Sequence, residues 1–417
     1  MDKIKAFIFN FLSRKGAWVF SSMAIGKLLT FLSSWIALKL LNQDDLGNLL
    51  FALNIVLFFI PLSGFGAAQG LLRYGAREEK SSDQQDLLNE VLKKGFIFSF
   101  ILIGIIIILS EVLTSNMPDS RLFLMSLSLL ILTLFILESI KTYYRVIGKN
   151  EVFAKIEITY AFILLFTVVI GCYFFGIWGY VTSLVLTPLF TLILYLPKNI
   201  FTRFYSEKQL LKADFWKYSF FTGLSNSVTQ LLAIADIFLI GYLLRDPAQV
   251  TFYRYLSLIP LSLVIFPNAI ITTDFVSLTS KIDNQRFIFQ YIKQYLVFFL
   301  LAVSLFWTIH LLFIDHILTF FGKDFISYKK VYYLLLLGVT AVIMLRILFG
   351  NLLSAMGMAK INFWIAGFSV LLNVFLNLYF IPRMGILGAA ITSAITMWIS
   401  SFLSLFCFYY FLKKLSI

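Results

Sequence analysis

"YFIPRMGILGAAITS", residues 379–393, breaks two long apolar runs with Pro382, Arg383 and two glycines three apart, Gly385 and Gly388. Proline and glycine together mark a turn. Near the middle of the chain, "YFFGIWGYVTS", residues 173–183, sets Gly176 and Gly179 in the same relation. Both stretches read as tight hairpins between apolar helices, and their recurrence points to an internal repeat.

The apolar runs themselves demand lipid. The chain has 417 residues, 60% of them hydrophobic and only 13% charged, where a soluble domain carries about 25% charged residues. The net charge of +13 does not mark a nucleic-acid partner, because the basic residues lie between apolar runs and not in one patch. Cys172 and Cys407 fall inside apolar runs, which implies no disulfide framework. Two histidines, His310 and His316, make no familiar zinc site, and no metal or other cofactor is expected. No Walker motif, HExxH or Ser-His-Asp constellation is present. The first apolar run is too long for a signal peptide and reads as a retained helix.

A membrane helix needs about 20 mostly apolar residues. Twelve such runs centre near residues 28, 60, 105, 132, 164, 187, 230, 263, 303, 343, 371 and 400. With the N-terminus in the cytoplasm, the inner segments hold 24 of the 34 Lys and Arg residues and the outer segments hold 6. The positive-inside rule therefore places both termini in the cytoplasm. No loop is long enough for a soluble domain.

Sliding the chain against itself by 209 residues aligns Gly148 with Gly357, Gly176 with Gly385, and Gly179 with Gly388. The halves, 1–208 and 209–417, each hold six spans, and an even number inserts both in the same orientation. The expected fold is all-α and integral to the membrane, with about twelve spans in two parallel-repeat six-helix lobes. Transporters built this way hold substrate between the lobes and alternate access.

A charge at mid-bilayer costs at least about 2.5–3.5 kcal/mol, so each one asks for a reason. Lys27 lies 12 residues past Lys15, about 18 Å into the first span. Arg346 lies well inside the tenth. Asp236 and Arg254 flank Arg245 at nine residues each, so antiparallel helices set them at similar depth. The plain alternatives are snorkelling for Lys27, a structural ion pair for Asp236 and Arg254, and a helix-end partner for Arg346. Glu138, one turn from Lys141, reads as a local surface pair. Near the start of each half the best offset is 203, which puts Ser33 opposite Asp236 and Phe51 opposite Arg254. The scaffold repeats and the intramembrane charges do not.

"NLLSAMGMAKINFWIAGFSVLLNVFLNLYFIPRMGILGAAITSAI" (351–395), "YYRVIGKNEVFAKIE" (143–157) and "LKLLNQDDLGNLLFAL" (38–53) resemble the polysaccharide-export branch, O-antigen flippase or Wzx-like, of the MATE-like MOP superfamily. The resemblance implies movement of an undecaprenyl-pyrophosphate-linked oligosaccharide across the bacterial cytoplasmic membrane by alternating access. It implies membrane lipids and the polysaccharide polymerase machinery as partners. On that reading Lys27, Arg254 and Arg346 line a cationic cavity for pyrophosphate. Asp236 competes for Arg254 and couples transport to a proton or sodium ion. The competing readings are a MATE-type cation or drug exporter and, in a different class, a polytopic polysaccharide polymerase. The first span carries Lys27 and no carboxylate, which argues against a cationic drug. The outer loops are too short for the polymerase.

Overall fold

The computed structural model describes residues 16–75, 78, 80–197 and 213–415. Among these every regular element is helical. Hydrocarbon offers the backbone no hydrogen bonds, so a spanning segment of this composition satisfies its own amides as a helix. The chain runs through α1 (Gly16–Leu40), α2 (Gln43–Phe59) and α3 (Ala67–Gly75). It continues with α4 (Ser81–Leu113), α5 (Ser120–Leu127), α6 (Leu130–Val146) and α7 (Asn150–Tyr195). Then come α8 (Ala213–Leu244), α9 (Pro247–Ser262), α10 (Ile265–Ser280), α11 (Gln285–Phe321) and α12 (Lys329–Ala341). A π-helical turn (Val342–Arg346) leads into α13 (Ile347–Ala355), and α14 (Ala359–Met384) and α15 (Ile386–Leu415) complete the order.

Nine of the described helical segments are long and apolar enough to cross a membrane. One, Asn150–Tyr195, holds both the fifth and the sixth expected spans, because its 46 residues break at Gly176. The first and seventh expected spans lie on α1 and α8, which are outside those nine.

The glycine pattern has a physical basis in each half. Gly176 adopts φ 57°, ψ −136° and Gly385 adopts φ 60°, ψ −143°. This region is essentially reserved for glycine, and it reverses the chain in one residue. Three residues on, a Cβ at Gly179 would collide with the carbonyl of Gly171, and one at Gly388 with the carbonyl of Phe380. Each hairpin thus needs one glycine to turn and a second to let its arms close. The third aligned pair is equally regular. Lys149 N–H donates to Tyr144 O and Met358 N–H to Leu353 O, both at 2.8 Å. Gly148 N–H donates to Arg145 O at 3.1 Å and Gly357 N–H to Ser354 O at 3.0 Å. These are Schellman caps, closed in both halves by a glycine of positive φ.

The second span of each half also breaks at matching points. Between α2 and α3, Ile60–Gly66 is a 3₁₀ segment in which Gly64 and Phe65 are left-handed. Offset by 203 residues, a turn at Leu263–Val264 separates α9 from α10.

Two compact units emerge from the packing: Ser21–Ile234 with Arg245–Thr251, and Met1–Phe20 with Ala235–Leu244 and Phe252–Ile417. In the first, Phe135 is 1% exposed and is packed with Leu71, Leu88, Val91 and Ile140. In the second, Tyr295, Phe299, Phe349 and Phe408 form part of a continuous apolar core. Tyr295 fits there because its hydroxyl donates to Ile343 O, 2.9 Å away.

Candidate functional site

Within the second unit, α8, α9, α14 and α15 converge on Asp236, which is 7% exposed. Its carboxylate accepts four hydrogen bonds. Tyr253 Oη donates to Oδ2 at 2.6 Å, and Ser393 Oγ donates to the same oxygen. Asn373 Nδ2 donates to Oδ1 at 3.0 Å and Asn377 Nδ2 at 2.7 Å. Asn377 Nδ2 also reaches Asn373 Oδ1 at 3.0 Å. All four donors are neutral, so they solvate the charge without cancelling it.

The local sequence explains the convergence. Tyr253 lies six residues into α9 and Ser393 seven into α15, while Asp236 and Asn377 lie eight residues from Leu244 and Gly385. At 1.5 Å per residue all four are roughly 9–12 Å in from the same ends of their helices. Asn373 and Asn377 share a face because they are four apart.

The expected Asp236–Arg254 ion pair is not the arrangement found. The described partners of Asp236 are Tyr253, Asn373, Asn377 and Ser393, and Arg254 is not among them. Equal depth is not equal direction: Tyr253 and Arg254 are about 100° apart around α9. It is the tyrosine that faces the carboxylate.

Arg346 ends the π-helical turn Val342–Arg346. Its Nη1 donates to Asn362 Oδ1 at 3.0 Å and to Ser404 Oγ at 2.7 Å. Asn362 in turn donates to Gly350 O and Ser354 Oγ. A guanidinium has five N–H donors; its described partners here are two neutral oxygens. The site lies beside the Gly357 turn, which is the helix-end placement and not mid-span.

Lys27, on α1 in the other unit, is exposed; its neighbour Gly26 leans on Glu157 O and Ala161 of α7. Lys141 departs from the expected surface pair. It is 7% exposed and bonds Glu157 of α7 as well as Glu138, the latter at 2.6 Å. The triad clamps α6 to α7. His310 is buried, its Nδ1 bonded to Phe306 O at 2.6 Å. Cys172 and Cys407 are free thiols.

Sequence reasoning found Asp236 and Arg346 by the cost of their charge and missed every partner. The signal available was the polar face of α14: Asn362, Ser369, Asn373 and Asn377, at helical spacing on an otherwise apolar helix.

No protein-family model and no curated protein matches the chain. Among solved structures it is similar to an inward-facing multidrug resistance MATE family transporter of the MOP superfamily. The identity is 16%, over 97% of this chain and 99% of that one, with a TM-score of 0.71. It is similar to the lipid II flippase MurJ in an inward closed conformation, at 18% identity over 92% and 87%, with a TM-score of 0.67. A MOP superfamily transporter from Pyrococcus furiosus, described as having a binding pocket of reversed polarity, matches at 15% over 98% and 96%, with a TM-score of 0.61. At these identities the likeness is one of fold. The chain is a multi-pass membrane protein with the fold of the MOP-superfamily transporters.

Proposed function

We propose that this protein is a flippase of the bacterial cytoplasmic membrane that moves an undecaprenyl-pyrophosphate-linked oligosaccharide to the outer face by alternating access. It spans the membrane about twelve times, in two six-helix lobes, 1–208 and 209–417, with both termini in the cytoplasm. Lys27, Arg254 and Arg346 supply the positive charge that the pyrophosphate needs, and Asp236 couples transport to a proton or sodium ion. Membrane lipids surround it, and a polysaccharide polymerase takes up the product. Two likenesses support the reading: the fold of the lipid II flippase MurJ, and the residues resembling the polysaccharide-export branch.

The observation that carries the substrate class is Arg346. A half-buried guanidinium whose described partners are two neutral oxygens keeps its charge available for a phosphate. The observation that carries coupling is Asp236. A carboxylate embedded among neutral donors, with no cation among its described partners, is completed by a proton or a small cation.

The test is complementation. A bacterial strain that lacks its own flippase but makes a lipid-linked oligosaccharide should regain surface polysaccharide when it carries this gene. The Lys27→Ala and Asp236→Asn variants should not restore it at equal membrane level. Absence of rescue by the wild-type gene overturns the reading. The competing MATE-type exporter is favoured by the neighbour at TM-score 0.71. It predicts raised resistance to cationic drugs in a sensitive host and no change in surface polysaccharide.

A further inference from the structure

Most of the buried polar atoms near Asp236 and Arg346 belong to two facing lines of side chains. On α14, Asn362, Ser369, Asn373 and Asn377 recur at intervals of seven, four and four, which keeps them on one helical face. The opposite face of the same helix carries exposed Phe363, Trp364, Phe368, Leu371 and Phe375. On α15, Ser393, Thr396, Ser400 and Ser404 recur at intervals of three, four and four. Both lines touch Arg346 at one end, through Asn362 and Ser404. Both touch Asp236 at the other, through Asn373, Asn377 and Ser393. The antiparallel register fixed by these contacts sets Ser369 level with Ser400 and Asn373 level with Thr396. The α15 line extends eleven residues, about 16 Å, and the α14 line fifteen, about 22 Å.

Small hydroxyl residues are common where membrane helices pack closely, and here Ser369, Ser400 and Ser404 donate to carbonyls of their own helices. Apart from half-buried Asn362, the file is buried, from 0% exposed at Asn377 and Ser404 to 6% at Ser400. Three of its atoms or their immediate neighbours have no hydrogen-bond partner among the described residues: Asn377 Oδ1, Thr396 Oγ1 and Thr392 Oγ1. A buried unpaired polar atom costs about 1–3 kcal/mol. Oxygens left unpaired along a line that ends on a carboxylate suit water and a small cation passing in single file.

We infer that the α14–α15 file is a path for a monovalent cation, the hydrated proton included, between Asp236 and the Gly357 end of the helix pair, and that Arg346 is the electrostatic plug that keeps it shut. A fixed guanidinium at the mouth of a narrow polar pore repels cations, as fixed positive charge does in selective channels. The plug makes Asp236 exchange its ion from one side of the membrane only. This goes beyond the role of Arg346 toward the pyrophosphate, and it rests on Asp236 as the coupling group but on no particular substrate.

The test is a leak measurement in liposomes holding the full-length protein and no lipid-linked substrate. A potassium gradient with valinomycin sets the potential. An internal pH dye reads proton entry, and a sodium dye reads sodium entry in a parallel arm. Wild type and Arg346→Lys should leak at the rate of protein-free liposomes. Arg346→Gln should leak at least tenfold faster, in one arm or both, and the responding arm names the ion. Adding Asp236→Asn to Arg346→Gln should return the rate to baseline. A tight Arg346→Gln, or a leak that survives Asp236→Asn, overturns the proposal.

Should Arg346→Gln fail to reach the membrane, Thr396→Cys is read with Arg346 intact, in a chain lacking Cys172 and Cys407. Silver ions applied to the folded protein should protect the thiol of Thr396→Cys from a maleimide added after unfolding in detergent, and leave that of Ile395→Cys unprotected. No protection at 396 overturns the file. Failure of polysaccharide rescue with a positive leak result leaves the file standing and removes only the substrate reading.

Discussion

At the scale of single residues, Asp236 and Arg346 show how one unit of charge is held inside an apolar bundle. Asp236 is surrounded by dipoles and Arg346 by an amide and a hydroxyl. Asp236→Asn keeps the shape and most of the hydrogen bonds, so the protein should reach the membrane at wild-type level. The residual flipping, too slow to rescue polysaccharide, should lose any dependence on the proton or sodium gradient, which a flipping assay across a pH and sodium series reads directly. Asn377→Leu removes a donor to Oδ1 and leaves the charge; it should lower stability by about 1.5–3 kcal/mol, seen as a fall in Tm. Lys141 behaves differently, since two carboxylates already neutralise it. Lys141→Met strands Glu138 and Glu157 beside one another and should cost roughly 1.5–3 kcal/mol. Adding Glu157→Gln should recover part of that loss.

At the scale of elements, the hairpins are governed by two glycines with different duties. Gly385 has open space around its absent Cβ, so Gly385→Ala meets only backbone strain, about 1–3 kcal/mol. Gly388 has no such space, because Phe380 O stands in the way. Gly388→Ala should therefore do more than lower Tm: it should separate the arms of the α14–α15 hairpin and disturb Asn377 and Ser393 a few residues away. The expected result is a Gly385→Ala that accumulates and stays coupled at a lowered Tm, and a poorly accumulating Gly388→Ala. Equal Tm values for the two would remove the close-approach argument. The same pair of duties at Gly176 and Gly179 predicts the same ranking for their alanine variants.

At the scale of the whole molecule, orientation follows from where Lys and Arg fall. A reporter fused after Ile417 should read cytoplasmic, and one inserted at Asn116 should read external. An external reading at the C-terminus would reverse the assignment of sides and with it the direction proposed for transport. The division into two compact units adds a second feature. The helix α8 is shared between them, with Ala213–Ile234 in one and Ala235–Leu244 in the other. Asp236 lies two residues past that division.

What was readable from the residues alone is what depends on short-range order. Run length gave helices, because an apolar run of about 20 residues crosses lipid by satisfying its own backbone, whereas barrel strands need only about 10. Glycine positions at an offset of 209 gave the repeat, because a left-handed turn is a property of a single residue. The cost of burying charge picked out Asp236 and Arg346. Tertiary structure decided what those charges touch. Asp236 and Asn377 are 141 residues apart in the chain, and their meeting depends on how four helices are rotated about their axes. Depth can be counted along a helix; rotation is set only when neighbouring faces pack. Depth alone therefore matches Arg254 to Asp236, whereas direction puts Tyr253 against it.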